Sequence, residues 1–185
     1  MAVLISMLRG VNLGSHNRVK MDALRALYES LNLEDPRTYV QSGNVIFRTG
    51  EKNLAALANK IQDAIEREFK FRPEVVLRTA SELRQTVAAN PFAGRGDIEP
   101  GKLVVTFLVA QPRPEASDKL ANLKKYPEEL HLKGRDLYTY FPNGLGRSKL
   151  PWSSLGELLG TNGTARNWNS VVKMLEMAEE LGGGT

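Results

Sequence analysis

The sequence contains no cysteine, and its 185 residues include only two histidines, His16 and His131. The absence of cysteine excludes disulfide bonds, thiolate zinc sites, iron–sulfur clusters and a cysteine nucleophile. Two isolated histidines give no basis for a histidine-rich metal site. The motifs of dinucleotide sites, zinc proteases and serine hydrolases are also missing. We therefore expect neither a bound metal nor a cofactor.

The chain also lacks a long hydrophobic run, since no segment approaches 18 consecutive apolar residues. The nearly apolar run at residues 1–8 is too short to span a bilayer, and it lacks the basic start and cleavage site of a signal peptide. We interpret it as a buried strand and expect a cytoplasmic protein without membrane association. With 42% apolar and 25% charged residues, the composition is typical of a folded globular protein.

Hydrophobic periodicity predicts the order β-α-β-β-α-β for the first half of the chain. Helices are expected at 20–31 and 53–69, and strands at 2–11, 38–40, 45–47 and 73–78. The second half predicts β-α-β-β-α-α, with strands at 103–110, 129–133 and 136–141 and helices at 115–124, 153–159 and 166–181. The first pattern is typical of ferredoxin-like folds, and the second matches it except for its last strand.

The expected fold class is therefore α+β, with two ferredoxin-like (βαββαβ-type) subdomains packed as one compact unit. The expected parts are a first subdomain at 1–89, a Gly/Pro-rich connection at 90–102, a second subdomain at 103–181 and a disordered tail at 182–185. The second subdomain lacks a clear last strand. No residue-level repeat relates the two halves, so the duplication is one of pattern only.

The net charge of +4 is spread unevenly along the chain. Four stretches contain Lys or Arg but no acidic residue, namely 1–21, 36–50, 137–156 and 158–175. The same stretches are rich in Gly, Asn and Ser, which permit close backbone approach and supply amide donors. This combination is typical of loops that bind an anionic ligand.

The candidate ligand-binding residues are the cations and polar side chains of these loops. They are Arg9, Asn12, Gln41, Ser42, Asn44, Arg147, Ser148, Arg166 and Asn169. In a ferredoxin-like sheet the first strand ends at the edge where the hairpin of the second and third strands turns, so residues 9–12 and 41–44 should lie close together. Whether the other two loops join them depends on how the halves pack.

Each of these motifs also has a structural interpretation. Ser42-Gly43-Asn44 favours a hairpin turn, because Gly and Asn tolerate positive φ. Residues 144–149 lack the ending of a Walker A motif and form either an anion-binding loop or a solvated connection. Arg166 is expected to open the last helix, where free backbone N–H groups favour an anion. Alternatively, Thr164 or Asn167 caps that helix.

Several motifs together resemble the bacterial domain-of-unknown-function family 1697 (DUF1697). They are Leu8-Arg9-Gly10-Val11-Asn12, the run Thr38 to Phe47, Asn90-Pro91-Phe92, Gly146-Arg147-Ser148 and Thr164-Ala165-Arg166-Asn167-Trp168-Asn169. They occur in order along essentially the whole chain, with Ala165 where the family pattern has Thr. The resemblance implies an α+β fold of two ferredoxin-like subdomains and no particular activity.

Three functions are consistent with these features. The first is binding of a small anionic ligand, phosphorylated or nucleotide-like, by the basic loops. The second is a cofactor-free transferase or hydrolase acting on a phosphorylated or carboxylated substrate, with His16 or a carboxylate as the acid–base group. The third is a protein or nucleic-acid interaction module. Sequence-specific nucleic-acid binding is not expected, because the first strand has no aromatic residue and the third has only Phe47, whereas RNA-binding ferredoxin-like sheets stack bases on aromatics of these strands.

Overall fold

The computed structural model describes residues 1–183. The described chain forms two compact units. The first unit contains Met1–Arg84 together with the described residues from Lys173 onward, and the second contains Gln85–Val172. The predicted Gly/Pro-rich connection at 90–102 lies inside the second unit. The chain therefore leaves the first unit once and returns to it near its end.

The first unit is built on a four-stranded antiparallel sheet. Its elements are β1 (Ala2–Leu8), α1 (Met21–Ser30), β2 (Glu34–Tyr39), β3 (Asn44–Thr49), α2 (Leu54–Phe69) and β4 (Val75–Thr79). The strands lie in the order β2-β3-β1-β4, with β1 paired to both β3 and β4. The predicted order of elements is confirmed for this part of the chain.

The core of the first unit lies between its sheet and helices α1 and α2. Leu4 and Phe47 of the sheet pack in one cluster with Leu24 of α1 and Ile61 of α2. Helix α2 begins after Asn53, whose Oδ1 accepts the Ala56 N–H at 3.0 Å, as an N-cap residue does. On β1 the alternate residues Ile5 and Met7 are also fully buried, so both faces of this sheet are covered.

The second unit repeats this arrangement of elements. It contains β5 (Leu103–Leu108), α4 (Ala116–Ala121), β6 (Glu129–Lys133), β7 (Asp136–Tyr140), α5 (Trp152–Leu159) and β8 (Gly163–Asn167). Its strands lie in the order β6-β7-β5-β8, and all pairs are antiparallel. Two helices cross the division between the units: α3 (Ala80–Ala88) and α6 (Trp168–Gly183).

The prediction that the second half lacks its last strand is wrong. Residues 163–167 form β8, in which Thr164 pairs with Phe107 and Arg166 pairs with Val105. The predicted helix at 166–181 starts two residues later, at Trp168, because Asn167 ends the strand and caps the helix. Helix α6 extends to Gly183, so the first half of the predicted disordered tail is helical. The rest of that tail lies outside the described residues.

Residues 1–183 thus form an α+β fold, as predicted, with two four-stranded antiparallel sheets and six α-helices. Within the same residues, no helix combines the length and hydrophobicity that crossing a membrane requires.

Candidate functional site

The loop that follows β1 contacts the turn between β2 and β3. Asn12 makes this contact, because its Nδ2 donates to the Gln41 carbonyl at 2.7 Å and to the Val19 carbonyl at 3.1 Å. Its Oδ1 accepts the Val19 N–H at 2.8 Å. The predicted proximity of residues 9–12 and 41–44 is confirmed. Asn12 acts here as a clamp that holds its own loop against the hairpin turn.

The turn itself is tightly tied to the sheet. The Leu8 N–H donates to the Gly43 carbonyl at 3.0 Å. Asn44 is fully buried, and its Nδ2 donates to the Tyr39 carbonyl at 3.0 Å and to the Ser42 hydroxyl at 2.9 Å. These contacts give Ser42 and Asn44 a role in fixing the turn, as the structural interpretation of this motif predicts.

A polar hollow of about 520 Å³ lies beside this turn, between α1 and the end of β2. We call it the polar hollow; it is lined by Lys20, Met21, Asp22, Arg25, Thr38, Val40 and Gln41. Of these residues, the sequence analysis selected only Gln41. Lys20 could have been found, since it belongs to the first acid-free stretch. Arg25 and Thr38 carried no signal of this kind, because only the fold brings the helix to the strand.

Charges of both signs line the polar hollow. The Arg25 guanidinium contacts the Asp22 carboxylate and the Thr38 hydroxyl. The side chains of Lys20 and Gln41 are exposed and make no hydrogen bond with any residue between 1 and 183. One ammonium group and one amide therefore face the hollow with their hydrogen-bonding capacity free, beside an arginine already held in place.

Arg9 directly follows β1, and its side chain forms an ion pair with an acidic residue that precedes β4. Its Nη1 lies 3.3 Å from Glu74 Oε2, and its backbone N–H donates to the Glu74 carbonyl at 3.0 Å. The Arg9 side chain is 49% exposed, and an exposed pair of this kind contributes little to stability. Its charge is partly neutralised by Glu74.

Three of the four candidates in the second unit lie on its surface or in a turn. Arg147 is exposed and ends the 3-10 turn Leu145–Arg147 that follows β7. The Ser148 hydroxyl accepts the Leu150 N–H at 3.2 Å, which shapes the start of the next segment. Asn169 is exposed in the first turn of α6, and its backbone N–H donates to Asn167 Oδ1 at 3.0 Å.

Arg166 differs most from its predicted environment. The sequence analysis expected it at the open end of a helix, but it lies on β8 and is only 7% exposed. Its Nη1 donates to Thr164 Oγ1 at 2.6 Å and to the Ala165 carbonyl at 2.9 Å. Burial lowers the pKa of Arg166 to about 10. Because β8 is short and polar, its sequence did not predict a strand. The prediction that the last helix begins at Arg166 was therefore wrong.

His16 is exposed in the loop after β1, where its backbone N–H donates to the Leu13 carbonyl at 3.0 Å. No acidic side chain within residues 1–183 contacts its ring. The same residues contain no group of three or more His, Asp or Glu side chains that could hold a metal ion.

These features define a class: an α+β protein with two four-stranded sheets and a polar hollow beside the first hairpin. The chain belongs to the family described as protein of unknown function (DUF1697), whose model matches residues 1–138. The fold is similar to that of a conserved bacterial protein, SP0830 from Streptococcus pneumoniae. That similarity has a TM-score of 0.67 at 20% identity and covers 96% of this chain and 98% of that one. No curated protein matches the chain.

Proposed function

We propose that the protein binds a small anionic ligand, phosphorylated or nucleotide-like, in the polar hollow of the first unit. The observation that carries this proposal is the pair of exposed, unpartnered side chains, Lys20 and Gln41, on the wall of one hollow. A hollow of about 520 Å³ falls in the range of small-molecule sites, which is roughly 300–1,000 Å³.

In this proposal each wall contributes a different interaction. Lys20 supplies an ammonium group to an anionic oxygen, whereas Asp22 offsets the charge of Arg25 on the same wall. Gln41 donates and accepts through its amide, and Thr38 offers a hydroxyl. A hydrogen bond to a charged group contributes about 1.5–3 kcal/mol, so removal of one cation should weaken binding roughly tenfold or more.

The residues selected from the sequence take different parts in this proposal. Asn12, Ser42 and Asn44 fix the loop and turn beside the hollow, and a ligand role for Arg9 stays a prediction. A ligand role for Arg147, Ser148, Arg166 and Asn169 stays a prediction. Among these four residues, Arg147 is the clearest one to test by substitution, because its side chain is exposed and has no partner within residues 1–183.

Isothermal titration calorimetry with inorganic phosphate, pyrophosphate and adenosine monophosphate tests the proposal. We expect Lys20→Ala and Gln41→Ala to weaken the binding of at least one of these anions, the former at least tenfold. Lys52→Ala is the matched control, because Lys52 is an exposed lysine outside the hollow. Absence of binding to all three anions, or equal affinity in Lys20→Ala and the control, would exclude the proposed site.

We also propose that both units are ferredoxin-like subdomains. The support is the same element order, β-α-β-β-α-β, with the same relative strand order in each sheet. The packing of the two subdomains as one compact unit and the cytoplasmic location stay predictions. Small-angle scattering of the protein and fractionation of its source cells test them.

A further inference from the structure

The second sheet has one face covered by α4 and α5, and this face is almost entirely apolar. Leu108 and Leu137 pack there with Leu120 of α4 and Leu155 of α5. A neighbouring cluster on the same face contains Val104, Phe141 and Leu150, with Tyr126 and Leu130 packed against it. An apolar layer of this kind should exclude unpaired polar groups, because their burial without hydrogen bonds is unfavourable.

Glu128 contradicts this expectation. It immediately precedes β6, is only 8% exposed, and makes no hydrogen bond or ion pair with any residue between 1 and 183. Its Oε2 is completely enclosed and has no partner. Alternation along the strand assigns Glu128 to the face of Leu130, which packs in both apolar clusters. One oxygen of the carboxylate is therefore enclosed in an apolar layer without any donor.

The hydroxyl of Thr139, on the same face of the sheet, is also unpaired. Thr139 is fully buried, and its Oγ1 has no partner. It pairs with Leu130 across β6 and β7. Continuing β6 by one residue would make Glu128 a diagonal neighbour of Thr139 on the same face, about 7–8 Å away at the backbone. A glutamate side chain spans much of that distance. Both groups can thus contact one ligand atom placed between them.

We propose that Glu128 and Thr139 bind the ammonium group of a small organic amine. The carboxylate requires a positive partner, and the hydroxyl accepts a second N–H from the same group. Metal ions such as Ca²⁺ and Mg²⁺ require roughly six or more oxygen ligands, which this apolar face does not supply. The apolar side chains of Phe141 and Leu150 suit contact with the hydrocarbon part of an amine rather than with a metal ion.

The aromatic rings at the border of this face support a cationic ligand. Lys125 already holds its Nζ 5.1 Å from the centre of the Tyr126 ring, the arrangement in which an ammonium group is attracted to an aromatic face. Trp152 is 41% exposed, with its ring 5.6 Å from that of Phe141. Aromatic rings that attract an ammonium group therefore lie at the border of the same apolar face.

The segment that directly precedes Glu128 is held by local turns rather than by the sheet. Between α4 and β6, the Leu123 N–H donates to the Leu120 carbonyl and the Tyr126 N–H to the Leu123 carbonyl. These bonds are local turns rather than strand pairs. Displacement of this segment would leave the pairing of β6 with β7 intact.

Thermal unfolding and calorimetry of the full chain, in a buffer without primary amines, test the proposal. The probes are butylammonium, 1,4-diaminobutane, tetramethylammonium and sodium, all as chlorides at equal ionic strength. We expect the two primary amines to raise Tm by several degrees. Sodium should have no such effect, and tetramethylammonium should have less because it has no N–H to donate.

Isosteric variants separate this site from general charge effects. Glu128→Gln should weaken amine binding at least tenfold and Thr139→Val several-fold, whereas Glu157→Gln should bind as the natural sequence does because Glu157 is exposed on α5. Glu128→Leu should have an unliganded Tm at or above that of the natural sequence, which shows that the site is not needed for folding. No shift with either amine, an equal shift with sodium, or full binding by Glu128→Gln overturns the proposal.

Discussion

Val40 sits in the turn beside the polar hollow with a backbone conformation that its side chain disfavours. Its φ is 50°, in the left-handed region, and the residue is 48% exposed. A β-branched residue is rare there, because the branched Cβ collides with its own backbone. The conformation is held by neighbouring contacts such as Asn44 Nδ2 to the Tyr39 carbonyl. Strain is thus located on the wall of the proposed site.

Val40→Gly should increase the free energy of unfolding by about 0.5–1 kcal/mol. Left-handed backbone costs about 1–2 kcal/mol in a residue with a Cβ, and the greater freedom of glycine in the unfolded chain offsets about 0.5–1 kcal/mol of that relief. Urea denaturation measures the change. Val40→Ala keeps a Cβ and should gain less; an equal gain would contradict the role of strain.

Gly43 and Gly144 form a matched pair for a second test. Both have positive φ, 78° and 82°, but a Cβ on Gly43 would lie 2.9 Å from Leu8 Cβ, whereas Gly144 faces open space. Gly43→Ala should therefore destabilise the protein by about 1–3 kcal/mol more than Gly144→Ala, the usual cost of overpacking. Equal losses in urea denaturation would show that Leu8 moves aside freely.

At the scale of elements, Arg95 ties the segment before β5 to the edge strand β6. It donates to Asp97 Oδ2 at 2.6 Å and to Glu129 Oε2 at 2.8 Å, and its guanidinium lies 5.5 Å from the centre of the buried Phe92 ring. These hydrogen bonds lower the pKa of Asp97 and of Glu129 below their ordinary values of 3.8 and 4.5. The stabilisation that this contact provides therefore depends on pH in the acid range.

The sign of this coupling gives a pH prediction. Because both pKa values are lowered in the folded protein, the stabilisation is present above the unfolded values and is lost as pH falls through the folded ones. NMR titration of the two carboxyl groups should give midpoints below 3.8 for Asp97 and below 4.5 for Glu129. Arg95→Met should raise both midpoints; unchanged midpoints would mean that the arginine does not control them.

The strands differ in how readily they can be predicted from the sequence. Apolar runs such as β1 and β5 could be predicted, because both of their faces are buried. The strand β8, Gly163–Asn167, could not, because its only charged residue points inward while Ala165 is exposed. Arg78 on β4 is likewise only 3% exposed and donates to the Leu77 carbonyl, as Arg166 does to that of Ala165. The two fourth strands therefore share a buried arginine that sequence comparison of the halves did not reveal.

At the scale of the whole molecule, helix α6 belongs to both units. Met174 of α6 is fully buried, whereas Met177 is half-buried. Met174→Ala should cost about 2–5 kcal/mol, the usual range for buried Met→Ala changes. Met177→Ala makes the same chemical change at a more exposed position and should cost clearly less. Similar losses for both in urea denaturation would contradict the assigned burial.

The candidate site was predictable only in part. The contact between residues 9–12 and 41–44 follows from ferredoxin-like topology, which the periodicity of the first half indicates. Arg25 and Glu128 could not be selected, because their significance depends on what surrounds them in space: one faces a hollow and the other lacks any donor. The strand position of Arg166 could not be predicted, because the polar sequence around it lacks the apolar pattern typical of a buried strand.

The return of the chain to its first unit has a consequence for biosynthesis. Residues from Lys173 onward are made after Gln85–Val172, although they complete the unit to which Met1–Arg84 belong. During translation, the second unit therefore has all of its residues before the first unit does. We expect a released chain that ends at Val172 to resist proteolysis in its second unit while the first unit remains susceptible, an order opposite to that in which the two begin.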